Sequence, residues 1–288
     1  MNEIIFSGQV NGISLERADR SPEFIMHTRH FHREFEIYYL LRGTRYYFIN
    51  DKTYHVKKGD IVFIDSNQIH KTGETQTAPH ERMLIMLHEK SVLSLEKYLN
   101  SFTIADFFQN HSGVLTLSAG EQNFVEQLLL QMQNEMKQRL PHYENIVTMA
   151  VVQLLLLSDR CLKQKTAISA TITPQTNKHE KVNQVAQYIT KNYDTPITLA
   201  ILEKECFMSK YYLCRIFKEV TGLSVIEYLN LIRVQQAQKL LENSSDSITT
   251  IAHAVGFESI TYFERIFKKC LLQTPMGYRA AYRNDSIS

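Results

Sequence analysis

The chain has 288 residues, of which 44% are hydrophobic, and this length and composition favour two globular domains. The net charge is +2, with 19 basic and 19 acidic residues in 1–178 and 13 and 11 in 179–288, so overall charge does not by itself indicate a nucleic-acid-binding protein. The longest apolar run, from Ile146 to Leu157, is too short to span a bilayer, and the first residues do not resemble a signal peptide, which predicts a cytoplasmic protein without a membrane segment. The four cysteines have no CxxC spacing and are expected to be reduced thiols.

Residues 23 to 88 contain short runs rich in Ile, Tyr, Phe and Leu, separated by turn residues such as Gly43 and Gly59. These runs predict β-strands at about 35–41, 46–49, 61–64 and 83–87. Several short strands at this spacing are typical of a small β-barrel or jelly roll.

Two histidine-containing segments lie within this predicted barrel. In the first, His30, His32 and Glu36 precede a glycine with the spacing HxHx3Ex6G, and in the second His70 follows a glycine with the spacing Gx10H. This pattern resembles the two cupin motifs. In metal-containing cupins, the four positions that match these residues bind the metal.

Three interpretations of these side chains remain open. Three imidazoles and a carboxylate facing one cavity would suit a first-row transition metal, as in a metal-dependent cupin enzyme. Without a metal, the same groups, with Tyr38 and Arg42 nearby, would suit a hydroxyl-rich effector such as a sugar. The histidines could also be structural groups that hydrogen-bond to the backbone. We expect no metal and no cofactor, and an effector site formed by His30, His32, Glu36, Tyr38 and His70.

Two long helices are predicted after the barrel, at about 121–138 and 143–162. The first has an apolar residue every fourth position: Phe124, Leu128, Met132 and Met136. The second has a broad apolar stripe that includes Val151, Leu154 and Leu155. This second helix either packs in the core of its own domain or forms a dimer interface, and the sequence does not distinguish the two. A polar, aperiodic segment follows, which predicts a domain at 1–163, a linker at 164–178 and a second domain at 179–288.

The second predicted domain contains a repeat. The segment SKYYLCRIFK (209–218) recurs as SITYFERIFK (259–268), and each copy begins with a serine that can cap a helix. A shorter helix with apolar residues at i, i+3 and i+7 precedes each copy: Leu199, Leu202 and Cys206, then Ile248, Ile251 and Val255. A short helix, a tight turn and a capped second helix form a helix-turn-helix, whose second helix lies in the major groove of DNA. We therefore predict two tandem units joined by a helix at 225–242.

Residues 181–283 resemble the DNA-binding domain of the AraC/XylS family of transcription regulators. The matching segments are RIFK (215–218) with Thr221-Gly222 and Ser224, AQKLL (237–241), IA (251–252), VGF (255–257), YF (262–263), RIFK (265–268), Thr274-Pro275 and Tyr278-Arg279. The chain departs from the family pattern at Phe207, where a turn glycine is common, and at Glu203, where the second copy has Ala252. It also has Leu271-Leu272 where Thr-Gly is usual.

The resemblance implies a two-domain α+β protein, with an N-terminal cupin-like β-barrel followed by helices and a C-terminal all-α domain that contains two helix-turn-helix units. It implies a regulator rather than an enzyme, and an activator rather than a repressor, that responds to a small polar effector bound in the barrel. The implied partners are a double-stranded DNA operator, RNA polymerase and a second copy of the chain. A barrel that only packs and dimerises, without an effector, is a further alternative. The predicted DNA-binding residues are Lys210, Tyr211, Tyr212, Cys214, Arg215, Lys218, Ser259, Ile260, Thr261, Arg265 and Lys268.

Overall fold

The computed structural model describes residues 2–21, 32–74, 79–165 and 177–285. The chain divides into two compact units, Met1–Gln175 and Thr176–Ser288. The first contains two β-sheets and several helices, and the described part of the second is helical. The predicted fold class, α+β with an N-terminal β domain and a C-terminal all-α domain, is confirmed.

The strands of the first unit form two antiparallel sheets. They are β1 (Glu3–Val10), β2 (Ile13–Arg20), β3 (Phe35–Arg42), β4 (Thr44–Ile49), β5 (Lys52–Lys57), β6 (Asp60–Ile64), β7 (His70–Glu74), β8 (His80–Leu87) and β9 (Gly113–Thr116). The larger sheet has the order β1-β2-β8-β3-β6-β9, and the smaller sheet has the order β5-β4-β7. The four strands predicted from the sequence correspond to β3, β4, β6 and β8, while β1, β2, β5, β7 and β9 were not predicted.

The larger sheet separates two apolar cores. Because side chains alternate along a strand, Ile37 and Tyr39 of β3 pack in the core between this sheet and the helices. Tyr38 and Leu40 point the other way and pack with residues of the smaller sheet, such as Tyr47. We call the space between the two sheets the interior. It contains the predicted effector-binding residues that the structure describes.

The helices of the first unit cover the other face of the larger sheet. They are α1 (Glu89–Glu96), α2 (Ile104–His111), α3 (Ala119–Gln138) and α4 (Tyr143–Lys165). Ser118 and Glu121 form a capping box at the start of α3. The predicted apolar stripe of α3 is wrong at Phe124, which is 43% exposed, because the buried face instead includes Val125 and Leu129.

Helix α4 belongs to the core of its own unit. Val151, Leu154 and Leu155, which the sequence left open as core or dimer interface, are each at most 1% exposed and lie in the core on the helix side of the larger sheet. By length and composition α4 could cross a membrane, contrary to the expectation from its apolar run alone. Half of that apolar stretch is buried inside the protein, however, as in the core helix of a globular domain.

The second unit consists of helices joined by short turns. They are α5 (Asn177–Asn192), α6 (Leu199–Glu205), α7 (Lys210–Thr221), α8 (Val225–Asn243), α9 (Ile248–Ala254), α10 (Ile260–Leu271) and α11 (Pro275–Asp285). Ser209 and Ser259 are the N-caps of α7 and α10, as predicted. Ser224 forms a capping box with Glu227 at the start of α8.

The predicted linker at 164–178 is helical at both ends. Helix α4 continues to Lys165, and α5 begins at Asn177. Residues 166–176 lie outside the described residues. Lys and Gln favour helices, so a polar and aperiodic composition did not reveal where the flanking helices end.

The two departures from the family pattern at glycine positions both adopt left-handed backbone conformations. Phe207 has φ +51° and Leu272 has φ +61°, while Gly256, which corresponds to Phe207 in the second copy, has φ +87°. A Cβ atom on Gly256 would lie 2.7 Å from the carbonyl oxygen of Tyr193, so only glycine fits there. The side chain of Phe207 is 94% exposed, which is why a large residue is tolerated sterically at the equivalent turn.

Candidate functional sites

The helices α7 and α10 each have an apolar face and a solvent-facing face. Leu213, Ile216 and Phe217 of α7 are at most 2% exposed, and Phe263 and Phe267 of α10 are fully buried. The predicted DNA-binding residues lie on the opposite faces. Eight of these residues are exposed: Lys210, Tyr211, Arg215, Lys218, Ser259, Thr261, Arg265 and Lys268. The other three are half-buried: Tyr212, Cys214 and Ile260.

A tyrosine lies beneath an arginine in both helices. The guanidinium carbon of Arg215 is 5.6 Å from the ring centroid of Tyr212, and that of Arg265 is 5.2 Å from the ring centroid of Tyr262. A cation–π contact of this kind restricts the arginine to fewer conformations. The same arrangement therefore limits the conformations of one exposed arginine in each helix.

Tyr262 was not among the predicted site residues. Its hydroxyl accepts a hydrogen bond of 2.8 Å from the side-chain amide of Asn230 in α8. The signal was present in the sequence, because a tyrosine stands three residues before the arginine in both copies. Residues three apart are neighbours on a helix surface, so the contact could have been predicted.

Helix α8 and its arginine Arg233 hold the two helix-turn-helix units together. Nε of Arg233 donates to the carbonyl of Tyr193 (2.7 Å) and Nη2 donates to that of Thr195 (2.9 Å). The same guanidinium lies 5.5 Å from the ring centroid of Phe257, just after the turn of the second unit. Helix α8 has 19 residues and is therefore about 28 Å long, close to the ~34 Å of one turn of B-DNA.

The interior contains a cluster formed by His32, Glu36 and His70. The carboxylate oxygen Oε2 of Glu36 lies 3.3 Å from Nε2 of His32 and 3.5 Å from Nε2 of His70. The other oxygen, Oε1, accepts a hydrogen bond of 2.6 Å from the hydroxyl of Tyr47, a residue that was not predicted. Glu36 is 2% exposed and His70 is fully buried, whereas His30 lies outside the described residues.

The backbone fixes the orientation of both imidazoles. Nδ1 of His32 lies 3.1 Å from the carbonyl of Glu34, and Nδ1 of His70 lies 2.9 Å from the carbonyl of Gln68. A carbonyl only accepts, so each Nδ1 carries a proton and donates it. Each Nε2 therefore faces Glu36 either as a protonated donor or as a lone pair. Two lone pairs directed at a carboxylate repel it, so a cation between them, a proton or a metal ion, would stabilise the cluster.

The acid–base properties of the cluster follow from burial and mutual charge. Burial raises the pKa of Glu36, but His70 and the hydrogen bonds from His32 and Tyr47 outweigh this effect, so its pKa is well below the usual value. Burial lowers the pKa of His32, but the hydrogen bond and charge of Glu36 outweigh it, so that pKa is raised. The carboxylate is therefore ionised and favours positively charged neighbours.

The donor atoms of His32, Glu36 and His70 also fit a metal ion. They lie within 4.8 Å of one another, and two imidazole nitrogens with one carboxylate oxygen are ligands typical of first-row transition metals. Both Nδ1 atoms are hydrogen-bonded to carbonyls, which is how metal-binding histidines are usually oriented. The geometry is thus compatible with a metal as well as with a proton.

The remaining predicted effector residue, Tyr38, lies next to this cluster. Its ring packs edge-on against that of Tyr47 at 5.3 Å between centroids, and it is 2% exposed. Burial, opposed by Arg82 and Arg45, raises the pKa of its hydroxyl to about 12. Arg42 does not join it, because the Arg42 side chain is 52% exposed and pairs with Asp19 at 2.6 Å.

Three further polar residues, Arg45, His80 and Arg82, lie largely buried near the interior and were not predicted. Arg45 is 1% exposed and His80 is 2% exposed, and the side chain of Arg82 is 12% exposed. Arg45 occupies an inward-facing position on β4, two residues before Tyr47. Sequence reasoning missed them because arginine and histidine on a strand are more often directed to solvent.

Two family profiles match the chain. That of the AraC-like ligand binding domain matches residues 13–134, and that of a helix-turn-helix domain matches residues 202–281. The first covers β2 to β9, α1, α2 and most of α3, and the second covers α7, α8, α9 and α10 in full.

Two relatives are similar along most of the chain, and a third is similar along about a third of it. The HTH-type transcriptional activator RhaR of Mannheimia succiniciproducens is 23% identical over 96% of this chain and 95% of its own length. The uncharacterized HTH-type transcriptional regulator YdeC of Bacillus subtilis is 26% identical over 87% of this chain and 85% of its own. The bifunctional transcriptional activator/DNA repair enzyme AdaA of Bacillus subtilis is 37% identical, over 35% of this chain and 47% of its own.

Proposed function

Because the chain belongs to the AraC/XylS family of transcription regulators, with a ligand-binding domain followed by a helix-turn-helix DNA-binding domain, we propose that it activates transcription in response to a small polar effector. It does so as a cytoplasmic homodimer that binds an operator and contacts RNA polymerase, and it has no catalytic activity of its own. Activation is supported by the relatives named transcriptional activators, which align with nearly the whole chain.

The repeated pair of capped helices, α7 and α10, carries the proposal of sequence-specific DNA binding. Each exposes a stacked arginine on its outer face, and α8 joins the two units over about 28 Å. Such a frame suits two recognition helices in successive major grooves on one side of the duplex. The two helices differ in sequence, so the two DNA segments they read should also differ.

Selection of binding sites from random DNA by the full-length protein tests this function. We expect an enriched motif of two unlike segments whose centres lie about 10 base pairs apart, the repeat of B-DNA. A gel-shift with DNA upstream of its own gene, at stated salt, should then show preference for sites that contain the motif. Binding that is equal for all sequences would contradict the proposal.

The interior is proposed as the effector site. Glu36, Tyr47 and Tyr38 place acceptors and donors between the two sheets, and a hydroxyl-rich molecule such as a sugar can bond to both kinds of group. A Glu36→Gln variant should lose the ligand response in a reporter assay and still bind the operator. If the variant simply unfolds, the histidine cluster is structural instead.

A metal ion held by His32, Glu36 and His70 is the second candidate for this site, because their donor atoms converge within 4.8 Å. The ion would serve there as a Lewis acid or as an anchor for the effector. Metal analysis of the purified protein distinguishes the two candidates. A metal content near one equivalent that falls in His70→Ala would favour the ion.

A further inference from the structure

Several buried polar atoms of the first unit have no hydrogen-bond partner among the described residues, and three of them belong to side chains on the interior face of β3 and β8. These three are the hydroxyl of Tyr38, Nδ1 of His80 and Nη1 of Arg82. A buried donor without a partner costs roughly 1–3 kcal/mol, so such atoms are rare in folded proteins. Three such atoms on one face of two adjacent strands would gain hydrogen bonds from a polar group bound there.

The three residues lie on adjacent strands and on one face of the larger sheet. His80 and Arg82 alternate on β8 with Glu81 and Met83, which face the opposite side of the sheet, and Arg82 is opposite Leu40 of the neighbouring β3, two residues from Tyr38. The guanidinium carbon of Arg82 is 5.9 Å from the ring centroid of Tyr38. The unpartnered atoms therefore belong to one side of the interior.

Positive charge dominates this side. Arg45 and Arg82 both face the interior, and Arg82 shares the carboxylate of Glu16 with Arg20. Burial, followed by the charges of Arg45 and Arg82, lowers the pKa of His80 to about 3, so this imidazole stays neutral. In that state, one of its ring nitrogens can donate a hydrogen bond.

We propose that the effector carries an anionic group, a carboxylate or a phosphate ester, and that Tyr38, His80 and Arg82 hold this group. A water molecule could bond to the same atoms, but only an anion would also compensate the charge, and hydrogen bonds to a charged acceptor are about twice as strong as neutral ones. The hydroxyl-bearing part of the effector would then lie towards Glu36 and Tyr47. The inference rests on the proposed effector site and specifies the class of ligand that this site accepts.

Thermal shift measurements on the full-length protein test the proposal. The probes are inorganic phosphate, acetate, glucose 6-phosphate and galacturonate at millimolar concentration, with glucose and galactose as their neutral counterparts and ionic strength held constant with sodium chloride. We expect a phosphorylated or carboxylated probe to raise Tm while its neutral counterpart does not. Comparison of the phosphate and carboxylate arms identifies which group the site prefers.

Tyr38→Phe removes only the unpartnered hydroxyl. Without ligand, its Tm should equal or exceed that of the wild type, because no hydrogen bond is lost. Its affinity for the anionic probe should fall about tenfold or more, as expected for one hydrogen bond to a charged group. The matched control is Tyr39→Phe, whose hydroxyl donates to Glu126 on the helix side of the sheet and should not affect the probe.

Arg82→Gln should likewise abolish the shift, with Arg17→Gln as a charge-matched control that breaks only a pair with Glu81. The proposal is overturned if no anionic probe raises Tm, if neutral sugars raise it as much as their anionic counterparts, or if Tyr38→Phe retains wild-type affinity. Binding of neutral sugars alone would leave the proposed effector function intact. Failure of the proposed effector function would appear separately, as a reporter assay in which no ligand changes expression.

Discussion

At the scale of single residues, the clearest contrast between the two repeats is at the turn, where Phe207 stands in place of glycine. Its φ of +51° is a left-handed backbone conformation, in which Cβ lies too close to the following carbonyl oxygen, and this costs roughly 1 kcal/mol for a residue other than glycine. The ring is 94% exposed, so little packing compensates for this strain. A bulky residue that remains at a strained and exposed turn is a candidate for a contact with another molecule.

Phe207→Gly is expected to raise the free energy of unfolding of the DNA-binding domain by up to about 1 kcal/mol, because glycine adopts the left-handed conformation without strain. The greater entropy of glycine in the unfolded chain offsets part of this gain. Urea unfolding measures the change. Phe207→Ala is the matched control, since it removes the ring but keeps Cβ, and it should give no such gain. A glycine variant less stable than the alanine variant would refute the strain.

Arg215→Ala and Arg265→Ala should each weaken operator binding and relax preference at one base step, by about 1–3 kcal/mol of discrimination, since arginine can contact guanine through two hydrogen bonds. Lys218→Ala removes the same charge but should weaken binding to all sequences alike and reduce the salt dependence. Quantitative gel-shifts with single-base variants of the operator separate these effects. Unchanged sequence preference in both arginine variants would exclude direct base reading by these residues.

At the scale of elements, helices and caps were predicted more accurately than strands. The serines before α7, α8 and α10 stand at three helix starts, because the preference for serine at an N-cap is local, and those before α8 and α10 accept a hydrogen bond from the first turn. Strand β2 was missed because its buried residues Ile13, Leu15 and Ala18 are interrupted by Glu16 and Arg17, which blurs the alternation. The pairing of β8 with both β2 and β3 depends on contacts distant in sequence, which no local pattern records.

The same limit applies to the interior. His32, Glu36 and His70 were predicted because they match a known motif, and the structure brings them together. Tyr47, Arg45, His80 and Arg82 match no motif, and their inward direction depends on the register of β4 and β8. A polar residue on a strand can be assigned to the interior only once that register is known.

The exposed side of helix α4 allows a test of dimerisation. Its exposed side includes Met149 (39% exposed) and Leu156 (36%), which are seven residues apart and therefore share a face. If the dimer forms through this face, Met149→Lys with Leu156→Lys should yield a folded monomer that binds a full operator far more weakly but a half-operator normally. Light scattering and gel-shifts measure both properties.

Val151→Lys is the contrasting variant, because Val151 is fully buried and a charge there should unfold the domain rather than separate two copies. A double lysine variant that remains dimeric would place the interface elsewhere on the chain.

At the scale of the whole molecule, each unit contains a buried histidine with a depressed pKa. Burial and the charges of Arg45 and Arg82 lower that of His80 to about 3, and burial with the charge of Lys178 lowers that of His179 to about 4. In the unfolded chain both titrate near pH 6.5. Below that pH the unfolded state binds protons that the folded state excludes. The contribution of these two histidines to the free energy of unfolding is therefore full above pH 6.5 and is lost as the pH falls.

Between pH 7 and pH 5 each of these histidines should remove about 2 kcal/mol from the free energy of unfolding of its unit. His32, whose pKa is raised, acts in the opposite direction and partly offsets the loss in the first unit. Urea unfolding at the two pH values, resolved by hydrogen exchange into the two units, measures the effect. His80→Gln should flatten the pH dependence of the first unit only, and a parallel loss in the variant and the wild type would disprove the assignment.

The alternation of β3 has a consequence for how this regulator could change its ligand. Glu36 and Tyr38 contribute to the interior, while Ile37 and Tyr39 pack against the helices, so specificity and domain stability are encoded by interleaved positions of one strand. Variation restricted to alternate codons of β3 and β8 would explore new ligands on an unaltered scaffold. The insertion of one codon would instead exchange the two sets of side chains and abolish both properties together.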